Sequence, residues 1–169
     1  MLAAFQLSAF ASMNPEKATF AAGCFWGVEY KFARRPGVLA TRVGYEGGTL
    51  AQPTYKQVCT DRTGHAEVVE LSYDPAQTSY EALVRYFFEM HDPTTLNRQG
   101  EDVGTQYRSV IFTHSAEQQL IAERLREELN VGPFAGRIVT RVEPASTFWP
   151  AEEYHQKYGE KHPGLACAF

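Results

Sequence analysis

The hydrophobic period alternates along this chain in a set order, and that order restricts the fold more than any other feature. Lys17 to Ala22 is a short apolar run of strand type that ends at Gly23. Cys24 to Arg34 carries Phe25, Val28 and Phe32 at helical spacing, has Arg34 and Arg35 at its end, and stops at Pro36–Gly37. Val38 to Tyr45 reads as a strand closing in Gly47–Gly48. After a loop containing Pro53, His65 to Tyr73 alternates as the next strand, ended by Asp74–Pro75. Thr78 and Glu81 form a capping box, and the helix they start puts Tyr80, Leu83, Val84, Phe87 and Phe88 on one face. A long polar stretch, His91 to Thr105, leads to a strand over Gln106 to Thr113. The order is β-α-β-β-α-β, the split βαβ core of a ferredoxin-like α/β sandwich, an α+β fold with its helices on one face of the sheet. A helix started by Ser115 with Gln118 and running to about Asn130, and a strand over Arg137 to Val142, are additions to that core. A short helix around Glu152 to Tyr158 and an irregular C-terminal tail complete the chain.

Charge and cysteine usage narrow the function classes. A formal net charge of −4 removes the electrostatic drive for nucleic-acid binding. The apolar run within the first sixteen residues has no Lys or Arg and is too short to span a bilayer, which argues against a signal peptide or a membrane anchor. Three cysteines, Cys24, Cys59 and Cys167, are too few and too scattered for a secreted disulfide framework, and none are paired at zinc-knuckle spacing. The odd count suits a reducing compartment, so a cytoplasmic location is expected. Nothing marks an extended partner surface, so a monomer is expected.

The segment Gly23-Cys24-Phe25-Trp26-Gly27 sets a cysteine at a strand-to-helix junction. Free amides and the helix dipole there favour a thiolate, which predicts a lowered thiol pKa. The plainer reading is a small buried thiol, but two adjacent aromatics, with Trp26 off the helical stripe, suit a pocket for an apolar group such as a methyl on sulfur. In Gly64-His65-Ala66-Glu67-Val68-Val69-Glu70, Glu67 shares a strand face with Val69 and Leu71. It is either a carboxyl kept protonated by apolar neighbours, as a general acid must be, or a solvated strand end. His65, His91, His114 and Glu67 lack the short spacing of metal motifs, so no metal site is expected. A cysteine hydrolase using His65 or His155 as base, and a peptide-binding module built on Phe25 and Trp26, are the competing readings.

Taken together, the blocks Gly23–Gly27, 44–48, 53–55, 64–69, 73–75, 91–95, 97–100 and 104–109 resemble the peptide methionine sulfoxide reductase A family in order, over about Lys17 to His155. The resemblance implies that Cys24 is the nucleophile and that Phe25 and Trp26 wall the substrate's S-methyl group. It implies that Glu67 is the acid, that Tyr55 and Tyr107 hydrogen-bond the sulfoxide oxygen, and that Asp102 organises the site and binds substrate backbone. His155, with Tyr158, falls at the pocket edge. The family acts on the S epimer, one enzyme serving each epimer. Its substrates are free methionine sulfoxide or oxidised proteins, it needs no cofactor, and electrons come from thioredoxin or a similar dithiol. A resolving cysteine commonly lies in a glycine-containing tail, which Gly164-Leu165-Ala166-Cys167 matches in type, whereas Cys59, between Val58 and Thr60, reads as a buried small hydrophobe. On this reading residues 1–16 are a dispensable leader, 17–160 a single catalytic domain, and 161–169 a mobile tail carrying Cys167.

Overall fold

The structure is a computed structural model that describes residues 14–166; the segment before Asn14, and Cys167, lie outside the described residues. In chain order the elements are β1 (Glu16–Ala22), α1 (Phe25–Ala33), β2 (Val38–Glu46), α2 (Tyr55–Val58), β3 (Ala66–Tyr73), α3 (Tyr80–Met90), β4 (Arg98–Gln99), β5 (Asp102–Val103), β6 (Ser109–Thr113), α4 (Ala116–Val131), β7 (Arg141–Pro144), β8 (Trp149–Pro150), α5 (Tyr158–Lys161) and α6 (Pro163–Ala166). The main sheet is mixed. Its order is β7-β6-β1-β3-β2-β8, with β6 and β7 parallel and the other neighbours antiparallel. Among the described residues, no helix is long and apolar enough to cross a membrane.

Phe20 shows how the core is assembled. Its buried ring stacks on Phe32 of α1 at 4.9 Å and on Phe87 of α3 at 5.3 Å between centroids, so one strand residue collects two helices. Fully burying a Phe side chain contributes roughly 1.5–3 kcal/mol, which outweighs the cost of about 1 kcal/mol for Gly27 inside α1. Strand alternation sorts the remainder. β3 sends Val69, Leu71 and Tyr73 towards the helices, while Ala66 and Val68 join Val110 and Phe112 on the other face, covered by Ala145 and Phe148.

Four local expectations are corrected. Ser79, not Thr78, caps α3, accepting from the Ala82 amide at 3.0 Å, because the Thr78 amide closes a turn onto the Asp74 carbonyl. Gln106 and Tyr107 lie in a 3-10 turn, Thr105–Tyr107, held by the Thr105 amide on Asp61 Oδ1 at 2.8 Å, and the strand starts only at Ser109. The strand placed at Arg137 begins at Arg141, since Ile138 and Val139 give their amides to Asn130 Oδ1 and the Pro93 carbonyl. The helix placed over Glu152 to Tyr158 is a 3-10 turn (Glu153–His155), then Lys157 at φ +55°, then α5.

Gly44 marks the tightest approach in the sheet. A Cβ there would lie 2.4 Å from Phe148 Cζ and 2.5 Å from the Trp149 carbonyl oxygen. Backbone cannot yield as a side chain can, so Gly44→Ala is expected to destabilise the fold by roughly 1–3 kcal/mol, read as a lower urea midpoint at unchanged slope.

Candidate active site

β1 runs out at Gly23, whose φ of +95° lies in the left-handed region, and a Cβ there would come 2.7 Å from Gln99 Cγ. The sharp turn delivers Cys24 to the N-cap of α1, where its side chain caps nothing. The Trp26 and Gly27 amides at the helix start still lower its pKa. Burial, then Glu67, then Asp102 act the other way and prevail, so the thiol is pushed up to about 12. This corrects the expected lowering: the helix start is present, but two carboxyls and desolvation outweigh it.

Glu67 points from β3 under the start of α1 and is 1% exposed, so it is not a solvated strand end. The Phe25 amide donates to its Oε2 at 3.1 Å, and its Oε1 has no hydrogen-bond partner among the described residues. Burial pushes its carboxyl up to about 8, against the smaller pull of the Phe25 amide. The group is therefore protonated at neutral pH and has a proton to offer.

Tyr55 opens α2, which a capping box between Thr54 and Gln57 starts and whose first amide donates to Glu152. Tyr107 comes from the 3-10 turn before β6. Both phenols are raised, first by burial and next by Glu67, and Tyr107 also feels Asp102, Cys59 and Cys24. Asp102, half-buried on β5, lines with Cys24 a cavity of about 420 Å³ that includes Lys31 and Gln99. Burial, then Glu101, raises its carboxyl. Five residues far apart in sequence thus feel one another's charge.

A cluster of rings gathers around Phe25 and Trp26, on residues that do not line that cavity. The Trp26 indole N–H donates to His155 Nδ1 at 2.8 Å, and its ring lies on Tyr158 at 3.7 Å with 10° between planes. His155 is buried, 4.5 Å from Tyr55 and 5.0 Å from Phe25 between ring centroids. Its Nε2 lies 3.9 Å from Glu152, too far for a hydrogen bond, and burial lowers its pKa more than Glu152 raises it. It is a neutral ring with the proton on Nε2, oriented by tryptophan. His65 bonds through Nδ1 to the Gly48 amide and through Nε2 to the Leu50 carbonyl, so neither histidine is placed as a base for Cys24.

Cys59 is exposed, contrary to the expected buried thiol; the single turn of α2 leaves it on the rim beside Tyr55, where the Gln106 amide donates to its sulfur at 3.6 Å. Glu152 was not anticipated, although Tyr45 OH, the Tyr55 amide and Tyr154 OH all donate to it. The signal for α2, Thr54-x-x-Gln57, is legible in the sequence. A larger cavity, about 740 Å³ between α3 and α4, is lined by none of Cys24, Phe25, Trp26, Tyr55, Glu67, Asp102, Tyr107 and His155.

A buried acid with a proton to spare, a thiol above it and a wall of rings define a thiol-dependent enzyme on a mixed α+β scaffold. A model of the peptide methionine sulfoxide reductase family matches residues 16–169. The chain is 60% identical over 153 residues to the peptide methionine sulfoxide reductase MsrA of Methanoculleus marisnigri, covering 90% of this chain and 93% of that protein. Reduced Mxr1 of Saccharomyces cerevisiae superposes with a TM-score of 0.85 at 38% identity, covering 89% of this chain and 87% of the other. Mxr1 in complex with Trx2 superposes with a TM-score of 0.63 at 28% identity, covering 86% and 85%. The chain belongs to the peptide methionine sulfoxide reductase family.

Proposed function

We propose that this protein reduces methionine-S-sulfoxide, free or in proteins, to methionine, and so repairs oxidative damage. The observation that carries the reading is Glu67, buried and raised to about 8, with one carboxyl oxygen unpartnered beside Cys24. The sulfoxide oxygen becomes transferable only as it is protonated. Cys24 sulfur attacks the sulfoxide sulfur, while Glu67 gives the oxygen a proton and is reprotonated by the one the thiol loses, and Tyr55 and Tyr107 hydrogen-bond the oxygen. Asp102 holds the substrate backbone, and Phe25, Trp26 and His155 enclose the S-methyl group. The oxygen passes to Cys24, methionine leaves, and Cys24 is left as a sulfenic acid. The Cys167 thiol condenses with it, forming the disulfide and releasing water, and a dithiol of thioredoxin type reduces that disulfide by exchange. The yeast relative solved with Trx2 supports this last step. The cycle needs no metal or organic cofactor.

The catalytic unit we assign is 17–160, with the leader dispensable and a monomeric, cytoplasmic protein as the working form. A ferredoxin-like core is supported by the antiparallel order β6-β1-β3-β2. A single turnover without reductant tests the function. Reduced protein mixed with each epimer of a blocked methionine sulfoxide is expected to give methionine from the S epimer only, with loss of two thiols mapping to Cys24 and Cys167. Methionine from neither epimer, with all thiols intact in folded protein, would sink the reading.

A further inference from the structure

Glu29 lies on α1 five residues after Cys24 and is 2% exposed, a buried carboxyl that the chemistry above does not use. A charge in that position needs partners, and its partners converge on one place. Oε1 accepts from the Thr41 hydroxyl at 2.9 Å and faces Lys157 Nζ at 3.2 Å, while Oε2 accepts from the Lys157 amide at 2.9 Å. Lys157 Nζ returns to Thr41, donating to its carbonyl at 3.0 Å and to its hydroxyl. The residue so gripped has φ +55°, a conformation that a lysine adopts only when its surroundings impose it.

Lys157 sits between two residues that hold Trp26. Two positions before it is His155, which accepts the indole N–H; immediately after it is Tyr158, which covers the indole face. We propose that Glu29 is the positioning residue of the methyl pocket: by holding Lys157 left-handed, it sets His155 and Tyr158 at the angle from which they fix the Trp26 ring. The proposal rests on Trp26 being a wall of the substrate pocket. Gln156 anchors the same segment independently, accepting from the Val43 amide and donating to the Val43 carbonyl, both at 2.9 Å. Removing Glu29 therefore loosens the backbone rotation at Lys157 without detaching the segment from β2.

The chain has two tryptophans, so Trp149→Phe leaves Trp26 as the sole indole reporter. In that background Glu29→Ala is expected to shift Trp26 emission to the red and to raise KM for a blocked methionine sulfoxide about tenfold at nearly constant kcat, the pattern of lost pocket binding. Glycine adopts the left-handed region freely. Adding Lys157→Gly to Glu29→Ala should then restore both emission and KM, which a carboxylate needed only for stability would not allow. Glu29→Gln, which keeps an acceptor, gives the same readouts in smaller measure and serves if the alanine variant does not fold. Unchanged emission and KM in folded Glu29→Ala, or no rescue by Lys157→Gly, overturns the proposal. If the background protein reduces no sulfoxide, the functional reading has failed, and the emission arm still decides whether Glu29 sets the indole.

Discussion

Cys24→Ser is expected to form no methionine from either epimer, a fall in kcat/KM of at least about 10⁴-fold. A hydroxyl fills nearly the same volume, and the Cys24 side chain caps nothing on α1, so the fold has no reason to change. What is lost is the acceptor. Sulfur can take up the sulfoxide oxygen as a sulfenic acid, whereas serine would have to form a peroxide, so no intermediate is available to it. The resting thiol, pushed up to about 12, adds a second expectation: alkylation of Cys24 in free protein at neutral pH is slow, because little thiolate is present. Glu67 is the second-largest cause of that rise. With its proton on, as at neutral pH, that repulsion is absent, and the substrate's own sulfur, once its oxygen is hydrogen-bonded, becomes the electrophile that draws the thiol on. Equal methionine formation by Cys24→Ser and wild type in single turnover would remove Cys24 from the chemistry.

How much of this was legible in the sequence depends on whether a feature is local. The helix α3 and its buried face follow from the period of Tyr80, Leu83, Val84, Phe87 and Phe88, all of which are buried. The motif around Cys24 and the strand carrying Glu67 were likewise readable, because turn glycines and alternation are encoded in neighbouring residues. The thiol's pKa was not. The helix start is local, but the opposing carboxyls arrive from β3 and β5, and only the sheet brings Glu67 beneath residue 25. The same limit applies to the segment after β8. Its composition reads as a helix, yet Gln156 turns back onto β2 and Lys157 onto Glu29, more than a hundred residues away, and those bonds override local preference. Cys59 was misplaced for a related reason. Val58 beside it is buried, and the flanking residues alone suggested a buried thiol, whereas a single turn of helix turns Val58 inward and leaves the thiol outside.

Glu67→Gln separates hydrogen bonding from proton delivery. The amide oxygen can still accept the Phe25 N–H, and the NH₂ can still reach a sulfoxide oxygen, so KM is expected to change little. No proton can be given up, and kcat is expected to fall by about 10²–10⁴-fold. The pH profile carries the sign. The wild-type acid form persists below about 8, so its rate should decline as pH rises through that value, while the residual rate of the variant should be flat there. Stability moves with it. The folded-state pKa is raised, so from the ordinary carboxyl range up to about 8 the folded chain holds a proton that the unfolded chain has lost, and stability falls as pH rises across that window. Between about pH 6 and 9 the wild-type Tm should therefore drop more steeply than that of Glu67→Gln. Glu46, pushed up to about 7 by its own burial, titrates in the same range in both proteins and cancels in the difference. A slowed variant whose Tm also falls less steeply with pH than the wild type's has lost a buried ionisable acid. If the variant instead keeps the wild-type rate, the phenols of Tyr55 and Tyr107 suffice for the oxygen and the role given to Glu67 is wrong.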